Sequence, residues 1–329
     1  MTNLTGGEAL QARFYQIGLV RRIDAWLHKM PHPGIAVEIS GQHVAAARWG
    51  KIRGHLDDVA VQLLPAGAVM PSPVETNVTQ PDGVRSALRR VFNSVPASGA
   101  HVALLVPDPC VRVFILPFDN LPRSASDALP LLRWRLKKSV PFDVEETVVS
   151  WMRQEGKQGS LEVVASVARQ SIIREYEELV ESLGAHPTVV LSSTLATLPL
   201  LEDDGATLLV RLCGKMLTTV IVRGSGLCVY RSSEMRAEAA SLEPQAMLDE
   251  VFPAVAYYQD SWNTSVDRAR LAGFGDREEL FAQALAAEVG VAVGPMSDTQ
   301  GASKLDRAAK DLLPHGLDAL AGWAMNGAA

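Results

Sequence analysis

The stretch AVEISGQHVAAARWG, residues 36–50, is two short strand patterns joined by a turn of small and polar residues. In a nucleotide-binding fold a hairpin of this kind holds phosphates, because a glycine lets backbone N–H groups come close to the anion. Glu38, Ser40, Gly41, Gln42 and His43 are therefore the first candidates for chemistry. A second hairpin pattern, RLCGKMLTT from Arg211, offers Gly214 and Thr218, and LAGFG near the end adds the turn glycines Gly273 and Gly275. Other chemistry finds no support: the chain contains no GxSxG elbow and no HExxH pair. His43 is a single histidine in a turn, where packing or solvation is commoner than general-base work. His28 and His32 are four apart, but Pro31 and Pro33 break the helical face that joint metal ligation would need.

The rest of the chain must position these residues. At 329 residues, 47% hydrophobic and 21% charged, it is long enough for two lobes or two to three domains with a sizeable core. A net charge of -6 argues against general nucleic-acid binding, which needs an excess of Lys and Arg. Cys110, Cys213 and Cys228 are scattered and odd in number, which fits buried thiols in a reducing cytoplasm. No apolar run is long enough to cross a bilayer and the first residues show no continuous apolar segment after a basic start, so a soluble protein not exported by a classical signal is expected.

Residues 1–33 read as an extension. FYQIGLVRRIDAWLHKM puts Phe14, Ile17, Val20, Ile23, Trp26, Leu27 and Met30 on one helical face, with Arg21, Arg22 and Lys29 opposite or flanking. A basic amphipathic helix over about residues 10–30 suits either docking on its own domain or an anionic membrane surface. Next, GIAVEIS, HVAAARW and HLDDVAVQLL form a three-stranded meander, followed by a helix with Val84, Leu88, Val91 and Phe92 on one face and by the buried-strand pattern HVALLVP.

Residues 108–168 differ in texture. The strand VRVFILPF leads to a helix, SASDALPLLRWRLKKSV, with Leu129, Leu132, Leu136 and Val140 on one face and Arg133, Arg135, Lys137 and Lys138 opposite. Ser126 is expected to cap it, and Pro130 is tolerated near the first turn. A helix capped by Ser171 and ended at Gly184 follows, carrying Ile173, Tyr176, Val180 and Leu183 on its apolar face. Then ATLLVRLCGKMLTTVIVRGSGLCVYRSSE repeats the opening meander, the mark of an internal duplication. A helix bent at Pro253, the strand RARLAGFG, a helix with Asp276 and Glu279 as a capping pair, and a last helix GLDALAGWAMNG complete the chain. The predicted class is α/β with two lobes, 34–200 and 201–329, and a subdomain inserted at about 108–168.

In order, ILPFDNLP before a helix, SVPFDVEETVVSW, and AVAYYQD before VDRARLAGFG resemble the PilM family of type IV pilus assembly proteins, within the actin-like ATPase superfamily. The resemblance runs from about Gly34 to the C-terminus; the same order is similar to the cytoplasmic domain of GspL of type II secretion. It implies an actin-like, duplicated ribonuclease-H-like two-lobe fold with ATP between the lobes. The superfamily's first hairpin reads D-I-G-x-x-x-[ST]-K, in which the Asp organises a metal-bound water and the Lys or Ser meets phosphate oxygens. Here those positions read Glu38, Ile39, Ser40, Gly41, Gln42, His43, Val44, Ala45, so the acid stays while the Gly and the Lys are lost. The second D-I-G reads Arg211, Leu212, Cys213, with Gly214 next and Thr218 or Thr219 nearby. An Arg does not bind Mg²⁺; it is expected to pair with a phosphate or with Glu38 across the cleft. The adenosine turn reads Gly273, Phe274, Gly275, with the Phe either obstructing the purine pocket or stacking on the base.

The expectation is a pseudo-ATPase scaffold, with no catalytic or metal-binding residue and with ATP binding weak or lost at a degenerate cleft. The resemblance further implies a partner: the cytoplasmic tail of a PilN-like bitopic membrane protein. That tail would lie between the first lobe and the inserted subdomain, near Arg112, Phe114, Arg133, Trp134 and Arg135. The chain would thereby sit in the cytoplasm against the inner membrane and couple to the motor ATPase. The alternatives are an active actin-fold protein, either a sugar- or acetate-kinase-like enzyme or an FtsA-like polymer former.

Overall fold

Ile35–Ile39 (β1) and Ala206–Cys213 (β9) are nearly continuous apolar runs, and each lies at the centre of a five-stranded sheet. The computed structural model describes residues 32–201, 204–224 and 226–325; the amphipathic segment expected over residues 10–30 lies outside them. In the first lobe β1 pairs antiparallel with His43–Trp49 (β2), which pairs with Leu56–Leu63 (β3). The helix Pro81–Ser94 (α1) then returns the chain to His101–Val106 (β4), parallel to β1. After the insertion, Gln170–Glu181 (α3) and His186–Ser192 (β8) complete the order β3-β2-β1-β4-β8.

The second lobe repeats this order. Met216–Arg223 (β10) and Gly226–Glu234 (β11) follow β9 as an antiparallel meander. Pro244–Trp262 (α5), Arg268–Ala272 (β12), Glu278–Val289 (α6) and Val293–Pro295 (β13) complete β11-β10-β9-β12-β13, and the short helices Gln300–Ser303 (α7) and Arg307–Lys310 (α8) follow. Two sheets with one strand order define the duplicated actin-like fold. The inserted unit is a separate three-stranded sheet, β5-β7-β6, made of Arg112–Phe118 (β5), Thr147–Glu155 (β6) and Leu161–Arg169 (β7). Its helix Ala125–Leu136 (α2) buries Ala128, Leu132 and Leu136 on Val163, Ala165 and Val167.

The helix termini differ from expectation. Ser126 lies inside α2, whose N-cap is Ser124, and Pro130 is its sixth residue rather than a first-turn position. Arg169, not Ser171, is the N-cap of α3, and Arg277 is the N-cap of α6, so Asp276 and Glu279 form no capping box. In α3 and α6 the helix begins a residue or two away from the nearest capping type, because packing of the apolar face sets the boundary.

One core cluster crosses between the lobes. It joins Ala36 and Leu105 of the first sheet to Leu209 and Val220 of the second through the short helices Ser193–Thr197 (α4) and Asp318–Ala324 (α9). α9 packs so closely on α4 that a Cβ at Gly322 would stand 2.1 Å from the Ala196 carbonyl oxygen, so only glycine fits there. The C-terminal helix thus seats on a first-lobe helix while its N-terminal Asp318 reaches the second sheet.

Candidate functional site

In an open parallel arrangement, ligands bind beyond the carboxyl ends of the strands. Here that region is the interlobe cleft, where the ends of β1, β4 and β8 meet β9 and β10. Glu38 comes from β1, Asp108 follows β4, Ser193 and Thr194 start α4, Arg211 is on β9, Thr218 is on β10, and Asp318 opens α9. All are buried.

The second hairpin's acid position holds the cation that organises the cleft. Arg211 Nε donates to Asp318 Oδ2 at 2.6 Å, Nη2 donates to Oδ1 at 3.3 Å, and Nη1 reaches Asp108 Oδ2 at 3.5 Å. Asp108 also accepts from the Thr194 N–H at 2.9 Å, the Thr194 hydroxyl at 2.6 Å and the Thr218 hydroxyl at 3.3 Å. Asp318 accepts a further bond, 2.8 Å, from Thr197 Oγ1. Burial alone would raise the Asp318 carboxyl, but the Arg211 guanidinium outweighs it and holds Asp318 below the usual carboxylate range. Burial likewise opposes the charge on Arg211, and Asp318 overrides it, so both stay ionised. The expected pairing of Arg211 with Glu38 is therefore corrected: two aspartates far away in sequence take that place.

Glu38 is instead held by a single hydroxyl, Ser193 Oγ, at 3.3 Å from Oε1, and its Oε2 has no partner among the described residues. Burial pushes this carboxyl up to about 7, against the pull of Arg211. His43 sits in the turn with its Nδ1 3.1 Å from Ser40 Oγ; burial lowers it to about 4, so it is neutral at neutral pH.

Ser40 changes what the first hairpin can bind. Its Oγ accepts from the N–H groups of Gln42 (3.2 Å) and His43 (2.9 Å), the amides a phosphate hairpin turns toward its anion. The side chain of Gln42 crosses the cleft mouth and donates to Glu238 of the second lobe at 3.3 Å. Gly41 and Gly214 are turn residues of their hairpins.

The late glycine turn is a packing device. Gly273 has φ +83°, and a Cβ there would fall 1.9 Å from the Leu212 carbonyl oxygen of β9. The sequence led to the expectation that Phe274 would obstruct a purine pocket or stack on the base; instead it is buried in the second lobe's core, 4.6 Å centroid to centroid from Phe281. Gly275 also has positive φ but faces open space.

The five residues expected on a partner groove all lie in the inserted subdomain, on β5 and α2. Arg133 is ion-paired with Glu145 at 3.1 Å, and Arg135 donates to the Pro117 carbonyl at 3.3 Å while lying over the Phe118 ring. Both arginines thus brace the inserted subdomain. Trp134 projects from the outer face of α2 with 73% of its surface exposed, beside Leu131. Arg112 and Phe114 lie on β5, and Phe114 helps wall a cavity between the inserted sheet and the second lobe rather than the first.

Sequence reasoning missed Asp108, Ser193, Thr194, Thr197 and Asp318. The available signal was Arg211 itself: a cation inside the apolar run LLVRLC must be buried, and a buried cation requires a buried anion. What the run cannot say is which acids answer it.

The architecture and the interlobe cleft are those of an actin-like two-lobe protein. The chain shares this fold with a chain of the PilM-PilN type IV pilus biogenesis complex, at 18% identity, TM-score 0.68, covering 90% of this chain and 98% of that one. It also matches the cytoplasmic domain of EpsL, an inner membrane component of the type II secretion system of Vibrio cholerae (11% identity, 72% and 80% covered, TM-score 0.45). A third match is a Bacteroides thetaiotaomicron protein of actin-like ATPase fold and unknown function (12% identity, 87% and 97% covered, TM-score 0.47). No family model and no curated protein matches the sequence. Among the described residues, no helix is long and apolar enough to cross a membrane.

Proposed function

We propose that this protein is a pseudo-ATPase scaffold of a type IV pilus or related secretion-type assembly machine, holding the cytoplasmic tail of a PilN-like membrane protein. The observation that carries the first half is Arg211, whose guanidinium fills the cleft between Asp318 and Asp108. An internal cation there disfavours Mg²⁺, and the two hairpin N–H groups engaged by Ser40 have no free valence for a phosphate. These residues do not fit a magnesium nucleotide, and no hydrolytic step is assigned to them.

The assembly role is supported by the extent of the shared fold, which takes in nearly all of the PilM-PilN complex chain. Trp134 and Leu131, exposed on the inserted helix, are the residues on this subdomain most suited to holding a partner's apolar side chains. Two measurements test the reading. Calorimetric titration with ATP and Mg²⁺ is expected to give no binding heat, and micromolar Mg²⁺-dependent binding overturns the pseudo-ATPase assignment. A membrane pull-down with the full chain is expected to recover a single-span protein with a short cytoplasmic tail, reduced in Trp134→Ala; recovery of none overturns the scaffold assignment.

A further inference from the structure

β3 is the edge strand of the first sheet, and only one of its faces is covered along its length. Ala60 of β3 and Leu64 just after it pack against the cluster that holds Val84 and Leu88 of α1. On the opposite face the ladder sets Val59 beside Ala47, Val61 beside Ala45 and Leu63 beside His43. Ala45 and Ala47 are buried in the core that includes Leu320 and Trp323 of α9, and Leu56, at the start of β3, is buried there too. Beyond Leu56 that cover ends. Val59 and Val61 are exposed, and Leu63 keeps 81% of its surface in solvent. Ile52, in the turn before β3, is exposed as well. Apolar residues at alternate positions of an edge strand make a strip of the kind that another segment covers.

The chain enters the fold on this same face. Trp323 Nε1 donates to the Pro33 carbonyl at 3.1 Å, and the Trp323 ring lies 5.6 Å from that of His32. The Gly34 carbonyl accepts from the Trp49 N–H at 2.8 Å, which puts the entry point at the end of β2 where the turn to β3 departs. Between that point and the apolar segment ending at Met30 stand Pro31, His32 and Pro33. Three residue steps reach no farther than about 10 Å, so Met30 is tethered beside the uncovered face.

The segment matches the strip in chemistry and in length. Phe14, Ile17, Val20, Ile23, Trp26, Leu27 and Met30 share one face at helical spacing, with Arg21, Arg22 and Lys29 opposite or flanking. Seven residue steps of β3 span about 24 Å, and the sixteen steps from Phe14 to Met30, wound as a helix, span about the same. A tether this short holds the segment at an effective concentration of about millimolar, which favours docking within the chain over capture by a second copy or another surface.

We propose that residues 14–30 dock as an amphipathic helix on the uncovered face of β3, laying their apolar side chains on Val59, Val61 and Leu63. The basic residues then face solvent, and the apolar stripe is occupied by the protein's own first sheet rather than by a bilayer. This docking does not depend on the assembly reading.

Hydrogen exchange read by mass spectrometry on the full chain tests it, with a synthetic peptide of residues 1–31 as the unprotected reference. Amides of residues 14–30 are expected to exchange about tenfold or more slowly in the protein than in the peptide. Val61→Asp with Leu63→Asp is expected to remove that protection while β1 and β4 keep theirs, which shows that the lobe is still folded. Ile17→Asp with Ile23→Asp, placed on the segment itself, is expected to remove it equally. Protection is expected to be independent of protein concentration, and the wild-type chain is expected not to float with phosphatidylglycerol vesicles. Unprotected amides in 14–30, protection that survives the β3 substitutions, protection lost on dilution as a second copy would give, or flotation with the vesicles overturns the proposal.

Discussion

Arg211 on β9 and Asp318 at the start of α9 form a two-point ion pair, 2.6 Å and 3.3 Å, with only 2% of either side chain exposed. It ties the second lobe's central strand to the helix that seats on α4 of the first, so the lobes are joined through a buried charge as well as through a shared core. Such a pair contributes little over a well-packed apolar one, but removing one partner leaves the other charged and buried. Arg211→Met is therefore expected to lower the unfolding free energy by about 3–5 kcal/mol, and Arg211→Met with Asp318→Leu to recover most of that loss. Urea denaturation measures both; a single-variant loss below about 1 kcal/mol would contradict the assignment.

Glu38 makes the cleft sensitive to pH. Burial raises its carboxyl from 4.5 to about 7, so across that window the folded chain keeps a proton that the unfolded chain has released. The stability this group contributes is therefore full at low pH and is lost as pH rises through the window. Glu38→Gln, which imitates the protonated form, is expected to be close to the wild type near pH 4.5 and to exceed it by about 3 kcal/mol at pH 8. His43 acts in the opposite sense: lowered from 6.5 to about 4, it adds stability as pH rises through that range. Taking the difference between the Gln variant and the wild type at each pH isolates Glu38, and a flat difference from pH 4.5 to 8 would refute its raised value.

The two late glycines are expected to respond differently to alanine. At Gly273 the added methyl would overlap the Leu212 carbonyl, and the backbone is left-handed, so Gly273→Ala should destabilise by more than about 2 kcal/mol. Gly275→Ala meets open space and carries only the left-handed penalty, about 1 kcal/mol. Equal melting temperatures for the two variants would show that the approach of this turn to β9 is not a constraint.

Burial also suppresses thiol chemistry. Cys110 and Cys228 are pushed up to about 12 and Cys213 to about 11, far above the range in which a thiolate forms at neutral pH. Native protein at pH 8 is expected to resist alkylation by iodoacetamide, with all three thiols labelled once urea unfolds the chain. Cys213 is half-buried while Cys110 and Cys228 are buried; mass spectrometry reads the outcome, and rapid labelling of any one of them in the native state would contradict its raised thiol pKa.

The sequence by itself determined the elements and their repetition. IAVEI with HVAAARW, and ATLLVRLC with MLTTVIVR, carry the strand periods of two meanders, and the texture of 108–168 marks the inserted unit. Those signals are local, since apolar spacing along a strand or helix is fixed by backbone geometry alone. The loss of the hairpin lysine at Ala45 and the acid at Arg211 was equally legible.

Only the tertiary structure decided what the remaining residues do. Arg211 meets an aspartate 107 positions away and another 103 positions away, a choice made by how α9 and the end of β4 reach the cleft, not by any spacing in the chain. Phe274 turned into the core because its glycine neighbour lets β12 press on β9, where Phe281 was waiting in α6. Arg133 and Arg135, a basic face in the sequence, became braces because Glu145 and the Pro117 carbonyl lie within reach on neighbouring segments. A charge on a periodic face shows that it can be solvated; whether it stays so depends on what the fold brings beside it.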